Sequence, residues 1–228
     1  MQLLVSGAMP TVERLALAGE PYLGAFWTPA VGSSLDRIER WAVPYGVDNG
    51  CFALKKDNGS RNRNKVLDGF MRYVWVKHWE RQAGPVFVAV PDVVGSHEAT
   101  LFAFCCWWPM LAPLDLPLAF VAQNGATPDN IPWDLFSCLF VGGTTEDDGE
   151  EWKISPASAA VIREAKRRGK WVHVGRVNSE PRVRWCVAHG VDSVDGSGFS
   201  YFPDTNIPQG LAWVRSALAD RQAGRLAG

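Results

Sequence analysis

The 228-residue sequence lacks the features that mark several large classes of protein. No apolar run reaches the roughly 18 residues of a membrane-spanning helix, and the opening MQLLVSGAMPTVER has neither the basic flank nor the apolar stretch of a signal peptide. Neither sign of charge is in excess, since 23 Lys and Arg residues balance 24 Asp and Glu residues. We therefore expect a cytoplasmic protein without a membrane partner, in which any nucleic-acid contact comes from a local basic patch.

Motifs for metals and for common nucleotide cofactors are missing too. The five cysteines form no C-x-x-C pair, and none of the four histidines lies at ligand spacing from them, which indicates reduced thiols and no structural zinc. No G-x-x-x-x-G-K-[ST] occurs, and no G-x-G-x-x-G follows a predicted strand. The sequence therefore predicts no cofactor and no metal, although carboxylates alone can hold a hard cation.

Short apolar runs alternate with helix-length amphipathic stretches along the whole chain. We predict strands at 3–5, 22–27, 45–48, 86–90, 118–122, 138–141, 171–174 and 191–194. We predict helices at 33–42, 65–82, 96–112, 155–169, 179–189 and 208–222. Strands that are apolar on both faces suit a parallel sheet covered by helices. The pattern predicts one compact (β/α)8 barrel domain over residues 1–228, with a doubly wound open sheet as the alternative.

Six of these strands end in polar residues or glycine. The endings are Asp48-Asn49, Pro91-Asp92, Gln123-Asn124-Gly125, Gly142-Gly143-Thr144, Gly175-Arg176 and Asp195-Gly196. Each ending alone is typical of a turn. In a parallel barrel, however, all strand ends meet at the face where active sites lie. We therefore predict a functional rim with three carboxylates, amide side chains and one guanidinium.

The residue types at this rim suit chemistry on a nucleoside. A pair of carboxylates can act at an anomeric carbon, one as nucleophile and one by handling the proton of the leaving group. A further carboxylate beside an amide can accept the parallel N–H donors of a guanine edge.

The ordered motifs resemble those of the tRNA-guanine transglycosylases, and look closest to their shorter DpdA-type DNA-modifying relatives in bacteria and phages. The similarity runs from about residue 44 to 200, and it includes D-N-G-C-F from Asp48, Q-N-G from Gln123, and G-V-D-S-V-D ending at Asp195. The resemblance implies a (β/α)8 barrel that cleaves a guanine N-glycosidic bond, holds the sugar on an aspartate and installs a 7-deazaguanine.

The resemblance also implies roles for single residues. Asp195 would attack C1′ as the nucleophile, and Asp48 would be the general acid and base. Asp92 and Gln123 would hydrogen-bond the base edge. The other predicted substrate-binding residues are Gly142 and Gly143, through backbone N–H groups, Gly175 in the pocket wall, Asn49 and Phe52 in the turn after Asp48, and Arg176, which has no clear family counterpart.

The departures from the family pattern concern the substrate. The tRNA enzymes carry a zinc-binding subdomain with a C-x-C-x-x-C motif after the nucleophile, and we expect this barrel to lack it because the motif is missing here. Their Pro-Thr-Arg is replaced by Gly196-Ser197-Gly198. We therefore expect guanine-containing DNA, rather than tRNA, and a free 7-deazaguanine base as partners. Two alternatives stay open: an N-glycosidase or base-exchange enzyme for free nucleosides or nucleotides, and a purine-binding module without catalysis.

Two further patterns concern partners. A basic segment follows the Asp48 turn and is predicted to contact nucleic acid, the alternative being a solvated loop. Its cations are Lys55, Lys56, Arg61, Arg63 and Lys65. The tryptophan-rich stretches at 75–79 and 107–108 are expected to pack helices onto the barrel or to face a second copy or an accessory protein.

Overall fold

The computed structural model describes residues 1–29, 35–52, 63–77, 84–144 and 151–226. Eight strands pair in parallel and in chain order, and the last pairs with the first to close a barrel. The strands are β1 (Gln2–Val5), β2 (Leu23–Trp27), β3 (Tyr45–Val47), β4 (Phe87–Ala89), β5 (Leu118–Ala122), β6 (Cys138–Val141), β7 (Trp171–Val174) and β8 (Ser193–Asp195). The predicted (β/α)8 barrel is thereby confirmed, and the open-sheet alternative is wrong.

An α-helix follows seven of the eight strands in the described parts of the chain, and only a 3-10 turn lies between β5 and β6. They are α1 (Met9–Leu17), α2 (Leu35–Arg40), α3 (Arg63–Arg72), α4 (His97–Leu111), α5 (Pro156–Arg167), α6 (Glu180–Ala188) and α7 (Pro203–Gln222). A π-helical turn, Tyr73–Lys77, continues α3, and short 3-10 turns occupy Ala112–Leu114, Trp133–Leu135, Trp152–Ile154 and Ser197–Ser200. None of the described helices is long and apolar enough to cross a membrane.

Local signals account for several helix ends. Helix α5 begins as predicted, because Ser155 Oγ accepts a hydrogen bond from the Ser158 N–H at 3.3 Å and Pro156 occupies the first helical position. The following Gly169 adopts φ +69°, the left-handed conformation that ends many helices.

The structure differs from the predicted elements at two helices. Helix α1 was not predicted, because only Thr11 and Val12 of its nine residues are buried and its apolar face is short. Helix α7 begins at Pro203, five residues before the predicted start. Pro208, the first residue of the predicted helix, lies inside the observed helix, where its missing N–H removes one backbone hydrogen bond.

The barrel interior is filled by alternate residues of the strands. Leu4, Phe26, Phe87 and Phe140 belong to this inner cluster, which is separate from the larger core between strands and helices. Gly46 of β3 makes room for it, since a Cβ there would lie 2.6 Å from the Phe87 ring. The aromatic layer forms the floor beneath the carboxyl ends of the strands.

Candidate active site

A cavity of about 270 Å³ opens at the carboxyl ends of the strands, above the aromatic floor. Every residue that we predicted for catalysis or base binding lines it. These residues are Asp48, Asn49, Phe52, Asp92, Gln123, Gly142, Gly143, Gly175, Arg176 and Asp195. The parallel topology brings together side chains from six strand ends that are up to 147 positions apart. Their individual roles stay predictions.

Asp195 is the last residue of β8, and two donors hold its Oδ1 atom. His173 Nε2 lies 3.1 Å from this oxygen, and the backbone N–H of Arg176 donates to it at 3.2 Å. The side chain is mostly buried, with 15% of its surface exposed. These contacts fix the direction in which the carboxylate meets a ligand.

His173 was given no role by the sequence analysis, because it lies in an apolar strand. The β7–β8 register pairs His173 with Ser193, so both side chains point into the barrel. Trp171 Nε1 donates to Ser193 Oγ at 2.9 Å, and Ser193 Oγ lies 2.9 Å from His173 Nδ1. Because the indole only donates and a carboxylate only accepts, a neutral His173 that donates from Nε2 to Asp195 accepts the Ser193 hydroxyl proton at Nδ1, while Ser193 Oγ accepts from Trp171.

The imidazole is locked by packing as well as by hydrogen bonds. It is fully buried, and its ring centroid lies 4.5 to 5.3 Å from those of Phe26, Phe87 and Phe140. His173 is therefore a positioning residue for Asp195. The signal that could have found it is the alternation of side chains with hydrogen-bonding groups at 171, 173, 193 and 195 on the inward faces of β7 and β8.

Asp48 follows β3 and has the most perturbed carboxyl group in the cavity. Burial raises its pKa from 3.8 to about 7, and repulsion from Asp195 and Asp92 adds to the rise. Hydrogen bonds from Thr28 and from the Gly50 N–H oppose it but are smaller. A carboxyl group with this pKa can both donate and accept a proton near neutral pH.

Asp92 follows β4, and two amides hold it. Asn49 Nδ2 donates to Oδ1 at 2.8 Å, and Gln123 Nε2 donates to Oδ2 at 2.7 Å. These bonds lower the pKa, but burial outweighs them and raises it to about 6. Asn49 and Gln123 are both 2% exposed, and their amide oxygens are engaged as well. Asn49 Oδ1 accepts from the Cys51 N–H at 2.8 Å, and Gln123 Oε1 accepts from the Gly95 N–H at 2.9 Å.

The structure corrects the prediction for Gly142 and Gly143. The Gly142 N–H donates to the Ala122 carbonyl at 2.9 Å, and the Gly143 N–H donates to Gln123 Oε1 at 2.9 Å. Neither N–H is therefore available to a base carbonyl in this arrangement. Glycine is required at 142 for another reason, since a Cβ there would lie 2.5 Å from Gln123 Nε2. Gly175 lines the wall as predicted, with no room for a Cβ against Phe140.

Lys153 lines the cavity and was missed by the sequence analysis. It lies in the 3-10 turn before α5, is 3% exposed, and donates from Nζ to the Gly175 carbonyl at 2.9 Å. Burial lowers its pKa to about 8, with a further contribution from Arg176. Nothing in the local sequence distinguishes this lysine from a solvated one.

Phe52 and Arg176 form part of the cavity wall together. The Arg176 guanidinium lies over the Phe52 ring, 4.3 Å from its centroid, which is within cation–π distance. The predicted nucleic-acid residues Lys55, Lys56 and Arg61 lie outside the described residues. Arg63 and Lys65 fall in the first turn of α3, in the part whose side chains are not described.

No metal centre emerges from the part of the chain that the structure describes. Within it, no three His, Cys, Asp or Glu side chains are grouped so that they could hold a metal ion. The described contacts of the site are instead hydrogen bonds between carboxylates, amides, the imidazole and the lysine.

The barrel and its strand-end cavity define the class: a (β/α)8 barrel protein with the site where enzymes of this fold carry theirs. No protein-family model matches the chain, and no curated protein sequence matches it. Solved structures do resemble it. The Amycolatopsis orientalis BexX/CysO complex gives a TM-score of 0.57 at 13% identity over 98% of this chain and 91% of that one.

Two other barrels are similar to the same extent. A mandelate oxidase variant with an FMN adduct gives a TM-score of 0.56 at 14% identity, covering 99% of this chain and 75% of that one. The tryptophan synthase complex of Pyrococcus furiosus gives 0.51 at 13% identity, covering 96% and 95%. At these identities the likeness establishes the fold, and function has to be argued from the site.

Proposed function

We propose that this protein is a base-exchange glycosyltransferase that replaces guanine in DNA with a 7-deazaguanine derivative. The observation that carries the proposal is the set of three carboxylates in one cavity, each in a different environment. Asp195 is held by an imidazole and a backbone N–H, Asp48 is buried beside like charges, and Asp92 is held by two amides. Such divided environments are how one site assigns nucleophile, acid and binding group.

The first half-reaction uses Asp195 and Asp48. An Asp195 carboxylate oxygen attacks C1′ of the nucleotide, and the bond from C1′ to the guanine nitrogen breaks with its electron pair on the base. Protonated Asp48 gives its proton to the departing guanine, which leaves neutral. A carboxyl group with a pKa of about 7 holds that proton in roughly half of the molecules at neutral pH.

The second half-reaction reverses these roles. The incoming 7-deazaguanine loses a ring N–H proton to ionised Asp48, and its nitrogen forms the new bond to C1′. The aspartyl ester bond breaks, and Asp195 recovers its carboxylate. Hydrogen bonds from His173 and from the Arg176 N–H keep the Asp195 carboxylate in the same orientation through both steps. The side chain therefore has to move little between attack on C1′ and release of the sugar.

Base selection falls to Asp92 in this proposal. Asn49 and Gln123 each use one lone pair of its two oxygens, which leaves acceptor positions on both for the parallel N–H donors of a guanine edge. The same edge is present in 7-deazaguanines, so one pocket serves the departing and the incoming base. Duplex DNA has to expose the guanosine by flipping it, at a cost of a few kcal/mol.

The test is to trap the aspartyl intermediate. Guanine-containing DNA oligonucleotides are incubated with the protein and a 7-deazaguanine base, and the product is analysed for an SDS-resistant protein–DNA adduct. We expect an adduct with the wild type and none with Asp195→Asn. Asp115→Asn is the matched control, because Asp115 is exposed in the loop before β5, on the opposite face, and asparagine tolerates its left-handed φ of 51°.

Absence of an adduct with DNA would overturn the proposal, as would an adduct that persists in Asp195→Asn. The alternative, an N-glycosidase for free nucleosides or nucleotides, predicts release of guanine from those compounds without a 7-deazaguanine. Adding labelled guanine separates the two, since only base exchange returns the label to the polymer.

A further inference from the structure

A second, smaller cavity of about 100 Å³ lies between the ends of β6 and β7. It adjoins the cavity of about 270 Å³ described above, in which we place the base. Gly143, Lys153 and Arg176 line both cavities, so the two share a wall. The small cavity adds Arg182 and one carboxylate, Glu151, which are ion-paired to each other. Among the described residues that line it, three cations and one anion give a net positive charge.

Lys153 is a buried cation with few hydrogen-bond acceptors among the described residues. Its ammonium is buried, and of its three N–H donors only one has an acceptor among the described residues, the Gly175 carbonyl. No described carboxylate forms an ion pair with it. A buried cation with unused donors is costly unless an anion completes its environment.

Arg176 supplies a second cation that forms no ion pair with a described residue. Its backbone has φ +61°, a conformation that a residue with a Cβ adopts only at a cost. In this conformation the Arg176 backbone N–H donates a hydrogen bond to Asp195 Oδ1. The Arg176 guanidinium lies over the Phe52 ring and has no described hydrogen bond. The residue thus links Asp195 to the small cavity, and no described residue accepts a hydrogen bond from its guanidinium.

We propose that this small cavity binds a phosphate group of the nucleotide whose base occupies the larger cavity, with Lys153 and Arg176 as its ligands and Arg182 as a supporting charge. The inference rests on the proposed function, because it places the phosphate relative to a bound purine nucleotide. A phosphate suits the site, since its oxygens can accept both the ammonium and the planar fork of the guanidinium.

Binding measurements test this proposal without turnover. Calorimetry without any incoming base compares deoxyguanosine, its 5′- and 3′-monophosphates, a guanine-containing trinucleotide and inorganic phosphate. We expect at least one phosphorylated compound to bind the wild type tenfold or more tighter than deoxyguanosine, since each hydrogen bond to a charged group is worth about 10- to 100-fold. The preferred compound shows whether the cavity takes a terminal phosphate or a backbone diester.

Two variants and one control decide which residues are responsible. Lys153→Met and Arg176→Asn are each expected to weaken binding of the phosphorylated compound about tenfold more than they weaken binding of deoxyguanosine. Arg176→Asn preserves the fold, because the side chain is exposed and asparagine tolerates positive φ. Lys170→Met is the control, as Lys170 also donates to a single carbonyl, Phe136 O, but just before β7 at the opposite face.

The outcomes separate this inference from the proposed function. Equal binding of deoxyguanosine and all phosphorylated compounds, or a preference that survives in both variants, overturns the phosphate site and leaves the guanine proposal standing. Binding of inorganic phosphate that depends on Lys153, with no binding of any guanine compound, supports the phosphate site and counts against the guanine proposal.

Discussion

Replacing Asp48 by asparagine removes a carboxyl group whose ionisation the fold opposes. The pKa of Asp48 rises from 3.8 to about 7, chiefly because the group is buried and also because Asp195 and Asp92 repel its charge. Each pKa unit corresponds to about 1.4 kcal/mol, so the ionised carboxylate lowers folding stability by roughly 4 kcal/mol.

The sign follows from proton linkage. The folded state binds this proton more tightly than the unfolded state, so the stability that protonated Asp48 contributes is complete below about pH 4. It is lost as the pH rises to about 7, and above that pH the full cost is present. The uncharged variant Asp48→Asn is therefore expected to gain about 2 kcal/mol at pH 5 and about 4 kcal/mol at pH 8.5.

Thermal unfolding at both pH values measures the effect. For a chain of this size 1 kcal/mol shifts Tm by about 2–4 °C, so we expect Asp48→Asn to melt roughly 8–16 °C above the wild type at pH 8.5 and about half as much above it at pH 5. Asp115→Asn, at an exposed site, should show no such difference. An equal shift at the two pH values, or a variant less stable at pH 8.5, would refute the reasoning.

Two further predictions concern activity. His173→Asn should lower kcat about 10- to 100-fold with KM nearly unchanged, because it removes one of the two donors that orient Asp195. The control His189→Asn changes a residue on the outer surface against Trp185 and should leave both constants unchanged. A rise in KM alone would contradict the positioning role of His173. The pH profile of kcat/KM for labelled-guanine exchange should be bell-shaped, falling below about pH 6 as Asp92 gains a proton and above about pH 7 as Asp48 loses one. Asp48→Asn should retain only 10⁻² to 10⁻⁴ of the activity and lose the alkaline fall, and a fall that persists in this variant would assign that limb to another group.

Local chemistry accounts for the parts of the fold that the sequence predicts. Apolar runs separated by Asp, Asn and Gly turns define the strands and their ends, and helix α5 is marked by Ser155 and Pro156. The parallel order then places every strand end at one face, which is why the residues of the rim could be named before their geometry was known.

Contacts across the barrel are decided by strand register and burial, which no local pattern encodes. The pairing of His173 with Ser193 creates the chain of hydrogen bonds from Trp171 to Asp195, which lie 24 positions apart. Packing of the segment between β6 and α5 buries Lys153 beside Gly175. The same long-range contacts engage the N–H groups of Gly142 and Gly143 and thereby change their expected role. The sequence by itself thus determined the barrel and which residues lie at its rim. The tertiary structure alone decided which of these residues form hydrogen bonds with one another and which are buried, because both depend on neighbours that are distant in the chain.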